Sequence, residues 1–209
     1  MEKIAETQYP IHELIKNRWS PLAFSAQSVE PEKLRSLLEA ARWAASSYNQ
    51  QPWSFIIATK ENEREHERLL GCIVEGNREW ARLAPVLMLS VARLDFDFDN
   101  KPNRHAFHDV GQAASSLALE ATAQGLVIHQ MAGFDVAKAR EEFSIPEGYE
   151  PVAAIALGYA GNHEGLPEGL RAREESPRVR REQKDFVFAG KWGQTSPLVL
   201  NEARGKNDQ

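Results

Sequence analysis

Between Pro85 and Ala92 the chain runs almost without interruption through apolar side chains, over a length that suits a strand better than a helix. A strand apolar on both faces belongs at the centre of its sheet. Trp53 to Thr59 and Pro151 to Tyr159 are further strand candidates, and Leu126 to Phe134 adds a short apolar piece. From Pro31 to Ala45, Leu34, Leu37, Leu38 and Ala41 fall at the i, i+3, i+4, i+7 spacing of an amphipathic helix, with Pro31 suited to its first turn. Lys60 to Arg82 is helical in part. His108 to Gln124, dense in Ala and Ser, predicts a helix closely packed all round, with Gly125 placed as a C′ glycine. Asp135 can cap one more helix. The alternation is that of an α/β or α+β fold with more helix than strand.

With 209 residues, of which 42% are hydrophobic, one domain of ordinary size accounts for the whole chain, 1–209. From Ala160 to Lys184 Gly, Pro, Glu and Arg dominate and no apolar periodicity survives, whereas Phe186, Val187, Phe188 and Trp192 then restore apolar anchors. A long irregular stretch that ends on such anchors reads as an arm, over about 160–209, packed on another surface. Asn201 to Gln209 reads as a loose terminus. The formal net charge of −5 gives no reason to expect a nucleic-acid partner or an anionic membrane surface. The single cysteine, Cys72, fits a reducing compartment and reads as a buried small side chain rather than a nucleophile. Met1 to Pro10 lacks the apolar core of a secretory signal, and no apolar run approaches the ~20 residues of a membrane span. A cytoplasmic location is therefore expected.

Polar groups concentrate in three places: Arg18-Trp19-Ser20, Ser46-Ser47-Tyr48-Asn49-Gln50-Gln51, and Arg178-Val179-Arg180-Arg181. Guanidinium forks and hydroxyl donors together suit a phosphate monoester. Each cluster alone equally suits a solvated surface or a turn. His105 and His108 could share a helix face, but no third ligand stands at a sensible spacing, so no metal site is assigned. No G-x-G-x-x-G follows a candidate strand, which disfavours a Rossmann dehydrogenase.

Taken in order, these clusters resemble the nitroreductase family. Arg18, Ser20 and Phe24 match its Arg-x-Ser-x-x-x-Phe signature. Ala44, Ser46, Ser47, Asn49, Gln51, Pro52 and Trp53 match Ala-x-Ser-Ser-x-Asn-x-Gln-Pro-Trp. Asn77 and Trp80 stand before Ala84-Pro85, and His108-Asp109-x-Gly111 opens the Ala-rich helix. Gly125-Leu126 leads to Gly133-Phe134-Asp135, and Arg178-x-Arg180, Phe186-Val187 and Trp192 close the series.

The resemblance implies an α+β fold, a central and mainly antiparallel β-sheet wrapped by helices, and a homodimer with exchanged C-terminal arms and FMN at the interface. Arg18, Trp19, Ser20, Arg178 and Arg180 would surround the ribityl phosphate, and Asn77 would reach the polar edge of the ring. Ser46, Ser47, Asn49 and Gln51 would contact the same flavin from the other subunit. Gln130, Met131, Ala132 and Gly133 would run along the isoalloxazine. NADH or NADPH would be the electron donor, and a nitro compound, quinone or similar small oxidant the acceptor, in a ping-pong order. Ene reduction, dehalogenation, flavin breakdown and a non-catalytic flavin-binding module are the alternatives. No side chain is assigned a catalytic role, since the flavin carries the chemistry. Leu22, Trp80 and Ala132 stand where members of the family often carry charged residues, which predicts less polar surroundings for the ring and phosphate, and Tyr48 replaces a residue that is usually small; these departures bear on the substrate range.

Overall fold

The apolar run at 85–92 forms one of the two inner strands of a four-stranded sheet. In the computed structural model, which describes residues 3–200, strand β2 (Val86–Arg93) pairs on one side with β1 (Trp53–Thr59) and on the other with β4 (Tyr149–Gly158). Strand β3 (Val127–Met131) closes the order β1-β2-β4-β3, and every neighbouring pair is antiparallel. The helices are α1 (Glu13–Asn17), α2 (Pro31–Arg42), α3 (Glu63–Cys72), α4 (Glu75–Ala81), α5 (Ala106–Ala123), α6 (Val136–Glu142) and α7 (Glu168–Glu175). The architecture is α+β, built on an antiparallel sheet. The expected loose terminus, Asn201 to Gln209, lies outside the described residues.

Strand alternation explains how one apolar run feeds two cores. Leu87, Leu89 and Val91 of β2 join Ala154 and Ala156 of β4 in a cluster with Leu69, Leu70 and Ile73 around α3, and with Trp80 of α4. Val86 and Met88 point the other way, with Ile155 and Leu157, onto Leu37 and Ala41 of α2 and onto Ala113, Leu117, Ala118 and Ala121 of α5. The alanines let α2 and the sheet approach α5 closely. Its other stripe is open, with Phe107, Gly111 and Ser115 exposed, so the expectation of close packing all round does not hold within this chain.

The helix ends follow local chemistry. Pro31 opens α2, and the Asp135 side chain accepts from the Lys138 N–H at 2.9 Å to cap α6. At the end of α5, Gly125 has φ +74° while the Leu126 N–H reaches the Ala121 carbonyl at 2.8 Å and the Gly125 N–H the Thr122 carbonyl at 3.2 Å, a Schellman motif. Helix α2 stops at Arg42 rather than Ala45.

The chain divides into two compact units, Met1–Ser176 and Pro177–Gln209. The first includes α7, inside the stretch read as irregular. With Leu170 as its main apolar anchor, α7 shows no periodicity in sequence. Its second buried group is polar: the Glu174 carboxylate, 3% exposed, accepts from the Leu22 N–H at 2.8 Å. In the second unit Phe188 bridges Thr195 and its ring meets Trp192 edge-on at 5.2 Å.

Two imidazoles are held in the first unit. The His66 ring contacts the Ala84 carbonyl at 3.0 Å, and the His129 ring contacts the Pro21 carbonyl at 2.9 Å. Burial pulls both below the usual histidine value of 6.5, with Arg173 and Arg18 adding to the effect at His129. Well above that value both are neutral whether folded or unfolded and leave stability unchanged. As pH falls below about 6.5, the unfolded chain takes up protons that the native state refuses, so stability must decline, by at most about 1.4 kcal/mol per pH unit for each group. Urea midpoints at pH 7.5, 6.5 and 5.5 should show this slope, and His66→Gln with His129→Gln should flatten it. An unchanged slope in the double variant would assign the acid sensitivity to other groups.

Candidate functional site

Arg18 is the residue that ends α1, its N–H donating to the Leu14 carbonyl at 3.0 Å. This turns its guanidinium back toward Ser20, whose Oγ accepts from Nη1 at 3.2 Å. Trp19, partly buried, lies beneath the Lys3 ammonium, 5.5 Å from its ring centroid. The next residue, Pro21, offers its carbonyl to His129, and the His129 ring packs at a tilt on Trp80 of α4, with centroids 4.4 Å apart. On the same helix Asn77 donates from Nδ2 to the Gly133 carbonyl at 3.3 Å, and the Val74 N–H donates to the same oxygen at 3.1 Å. Arg18, Ser20, His129, Trp80, Asn77 and Gly133 therefore form one connected series.

Gly133 lets this contact form. A Cβ there would lie 3.0 Å from Val74 Cγ2 and closer still to Asn77 Nδ2, so a side chain would push the Asn77 amide aside. Along the preceding segment Gln130 and Ala132 are exposed, while Met131 is 6% exposed and turned into the core. Of these residues Met131 can offer a ligand only its backbone.

The second cluster is a strained loop. Ser47–Asn49 forms a 3-10 turn in which Tyr48 and Asn49 have φ of +51° and +54°, and Gln51 follows at +48°. Side chains rarely adopt this left-handed region, and each such residue costs on the order of 1 kcal/mol or more. Several bonds hold the loop in place. The Ser47 N–H donates to Asp109 Oδ2 at 2.9 Å, the Gln51 N–H to Ser46 Oγ at 3.0 Å, Gln112 Nε2 to the Ala45 carbonyl at 3.3 Å, and the Asp97 N–H to Gln50 Oε1 at 2.7 Å. These partners, at the start of α5 and in the 94–103 segment, differ from those of the Arg18 series.

Asp109, which the sequence places only as part of the His108-Asp109-x-Gly111 match, anchors the loop through Ser47. Its carboxylate is 1% exposed, and its other oxygen meets His108 Nδ1 at 3.0 Å. The available signal was an acidic residue on the apolar stripe of α5, beside Val110 and Ala113.

In the second unit, burial together with the charge of Arg180 pulls the Arg178 guanidinium below its usual value. Guanidiniums two positions apart in sequence can both donate to an anion such as a phosphate. Leu22 and Trp80, expected to make the ring and phosphate surroundings less polar, are 3% and 0% exposed and belong to the core beneath the sheet. Both side chains pack within that core. Among the described residues no group of three or more His, Cys, Asp or Glu could hold a metal ion, and no helix is long and apolar enough to cross a membrane.

Fold and donor groups define the class: an antiparallel α+β protein with arginine, hydroxyl and amide donors gathered at a helix end, a helix face and a strained loop. The Nitroreductase family model matches residues 15–79 and 72–159. A solved structure described as an oxidoreductase containing FMN is 34% identical, with a TM-score of 0.84, covering 91% of this chain and 96% of that one. A nitroreductase family protein from Clostridium difficile 630 is 27% identical at a TM-score of 0.62, covering 80% of this chain and 91% of its own. A protein of Leptothrix cholodnii named "Putative NADH dehydrogenase/NAD(P)H nitroreductase" is 30% identical over 178 residues, 75% of this chain and 85% of that protein. The chain belongs to the nitroreductase family.

Proposed function

We propose that this protein is an FMN-dependent oxidoreductase that passes reducing equivalents from NADH or NADPH to a small oxidant such as a nitro compound or quinone. The observation that carries the reading is the Asn77–Gly133 contact, where an amide side chain donates to the carbonyl of a backbone that carries no side chain. A planar heterocycle with polar edges is recognised by such groups. Bound FMN supplies the hydride-transfer chemistry, and the protein supplies binding, orientation and electrostatics.

In this reading Arg18 and Ser20 donate to the phosphate, with Trp19 beside them, and Arg178 and Arg180 donate to it as well. Asn77 meets the ring's polar edge, and the backbone of Gln130, Met131, Ala132 and Gly133 runs along the ring. Ser46, Ser47, Asn49 and Gln51 serve the flavin of a second copy, in a homodimer with exchanged C-terminal arms. That division of labour fits a loop whose bonds go to α5 and Asp97. The oxidised nicotinamide leaves before the oxidant enters, a ping-pong order, and no side chain need act as acid or base. The location proposed is the cytoplasm.

The test is an anaerobic absorption spectrum of the purified protein after FMN is added and excess removed. Retained flavin bands should bleach with NADH or NADPH and return when a quinone or nitroarene is admitted. Failure to retain flavin would sink the reading. Retention without bleaching by either nicotinamide would leave a flavin-binding module instead of an enzyme.

A further inference from the structure

Inside the strained loop, between the candidate ligand residues Ser47 and Asn49, Tyr48 is 80% exposed while its backbone sits at φ +51°. Burial cannot explain why a large ring is kept in a conformation that favours Gly or Asn. The ring is nonetheless not loose. It meets Phe96 edge-on at 5.9 Å and Phe98 at 5.7 Å, and those two rings lie 5.1 Å apart. Phe98 is itself 61% exposed. The bond from the Asp97 N–H to Gln50 ties the two segments that carry the rings, and Asp109 fixes Ser47 from beneath.

The result is a braced aromatic wall contiguous with residues proposed to touch the flavin. An electron-rich phenol at a fixed angle stacks on a planar, electron-poor ring and gains much less from a compact ion. We propose that Tyr48, braced by Phe96 and Phe98, is a specificity-determining residue that favours oxidants presenting a planar ring over oxidants without one. The inference rests on the FMN-dependent reading above.

The experiment compares FMN-loaded wild type with Tyr48→Asn and Tyr48→Phe. Steady-state kinetics with 1,4-naphthoquinone and with ferricyanide give the ratio of the two kcat/KM values. Binding of 4-nitrobenzoate to the oxidised protein, followed by the flavin absorption difference and, on apoprotein, by tryptophan quenching, gives a readout free of turnover. Tyr48→Asn should lower the quinone-to-ferricyanide ratio and weaken 4-nitrobenzoate roughly three- to tenfold, the range expected for one lost aromatic pair. Its melting temperature should stay equal or rise, since Asn tolerates the left-handed backbone. Tyr48→Phe should restore both the ratio and the probe affinity.

An unchanged ratio with unchanged probe affinity would overturn the proposal. So would equal losses on both oxidants accompanied by dissociation in light scattering, which would make Tyr48 a contact between copies. Failure of the underlying reading looks different: wild type itself would then show no flavin-dependent oxidation of NADH or NADPH with either acceptor, and that outcome also removes the wall's assigned role.

Discussion

Replacing Arg180 with alanine should weaken FMN binding by roughly ten- to a hundredfold and leave the weaker binding of riboflavin almost unchanged. Arg180 is exposed and lies near Arg178, whose guanidinium is disfavoured by burial and by the Arg180 charge. A phosphate dianion relieves that repulsion and accepts charge-assisted bonds worth about 1.5–3 kcal/mol each. Since 1.4 kcal/mol is about a factor of ten, loss of one such bond falls in the stated range. Riboflavin lacks the phosphate and serves as the control, because damage to the fold would weaken both ligands. Fluorescence titration of apoprotein at fixed ionic strength makes the comparison. Equal losses for the two flavins would return Arg180 to the role of a solvated surface charge.

The largest expected effect on stability is at Trp80. Its side chain is 0% exposed, tilted against His129 at 4.4 Å and near-parallel to Phe24 at 6.4 Å. Trp80→Ala should cost about 3–5 kcal/mol through lost burial and the cavity left behind, a large share of the roughly 5–15 kcal/mol that holds a domain together. Trp80→Phe should cost far less. The indole N–H has no hydrogen-bond partner among the described residues, so removing it also removes a desolvated donor and offsets part of the lost volume. Urea unfolding of the three proteins tests the pair of statements. A Phe variant as unstable as the Ala variant would mean that the N–H makes a bond that matters.

Trp80 also shows where sequence reasoning reaches its limit. A lone indole in a helix suits a ring-binding surface and a core equally well, and only the packing of α4 against the sheet decides between them. Leu22 was ambiguous for the same reason. The sheet was legible because an uninterrupted apolar run has one economical place, and because Val86 and Met88 alternate with Leu87 and Leu89 onto opposite layers. Gly125 and Asp135 were legible because their roles depend on backbone geometry within a few residues. Helix α7 was not, since its buried Glu174 is paid for by a backbone donor 152 positions away at Leu22. The left-handed backbone of Tyr48 was equally hidden, because tyrosine carries no local preference for it and the bonds that enforce it come from Asp109 and the neighbouring Asp97–Gln50 tether. The site's polar loops were visible as motifs, but which of their residues are bonded to one another depended on tertiary structure.

The strand order has a consequence for how the chain is made. Strand β2 pairs with β1 soon after both exist, but its other edge must wait for β4, whose Ala153 lies opposite Ser90 at a separation of 63 residues. At about 5–20 residues per second of synthesis, that edge stays open for roughly 3–13 s. Throughout that interval the most apolar strand of the molecule presents unpaired N–H and C=O groups to whatever is nearby, including the same strand on neighbouring nascent chains. This late pairing is therefore the step of folding most open to competing strand contacts, independently of how stable the finished fold is.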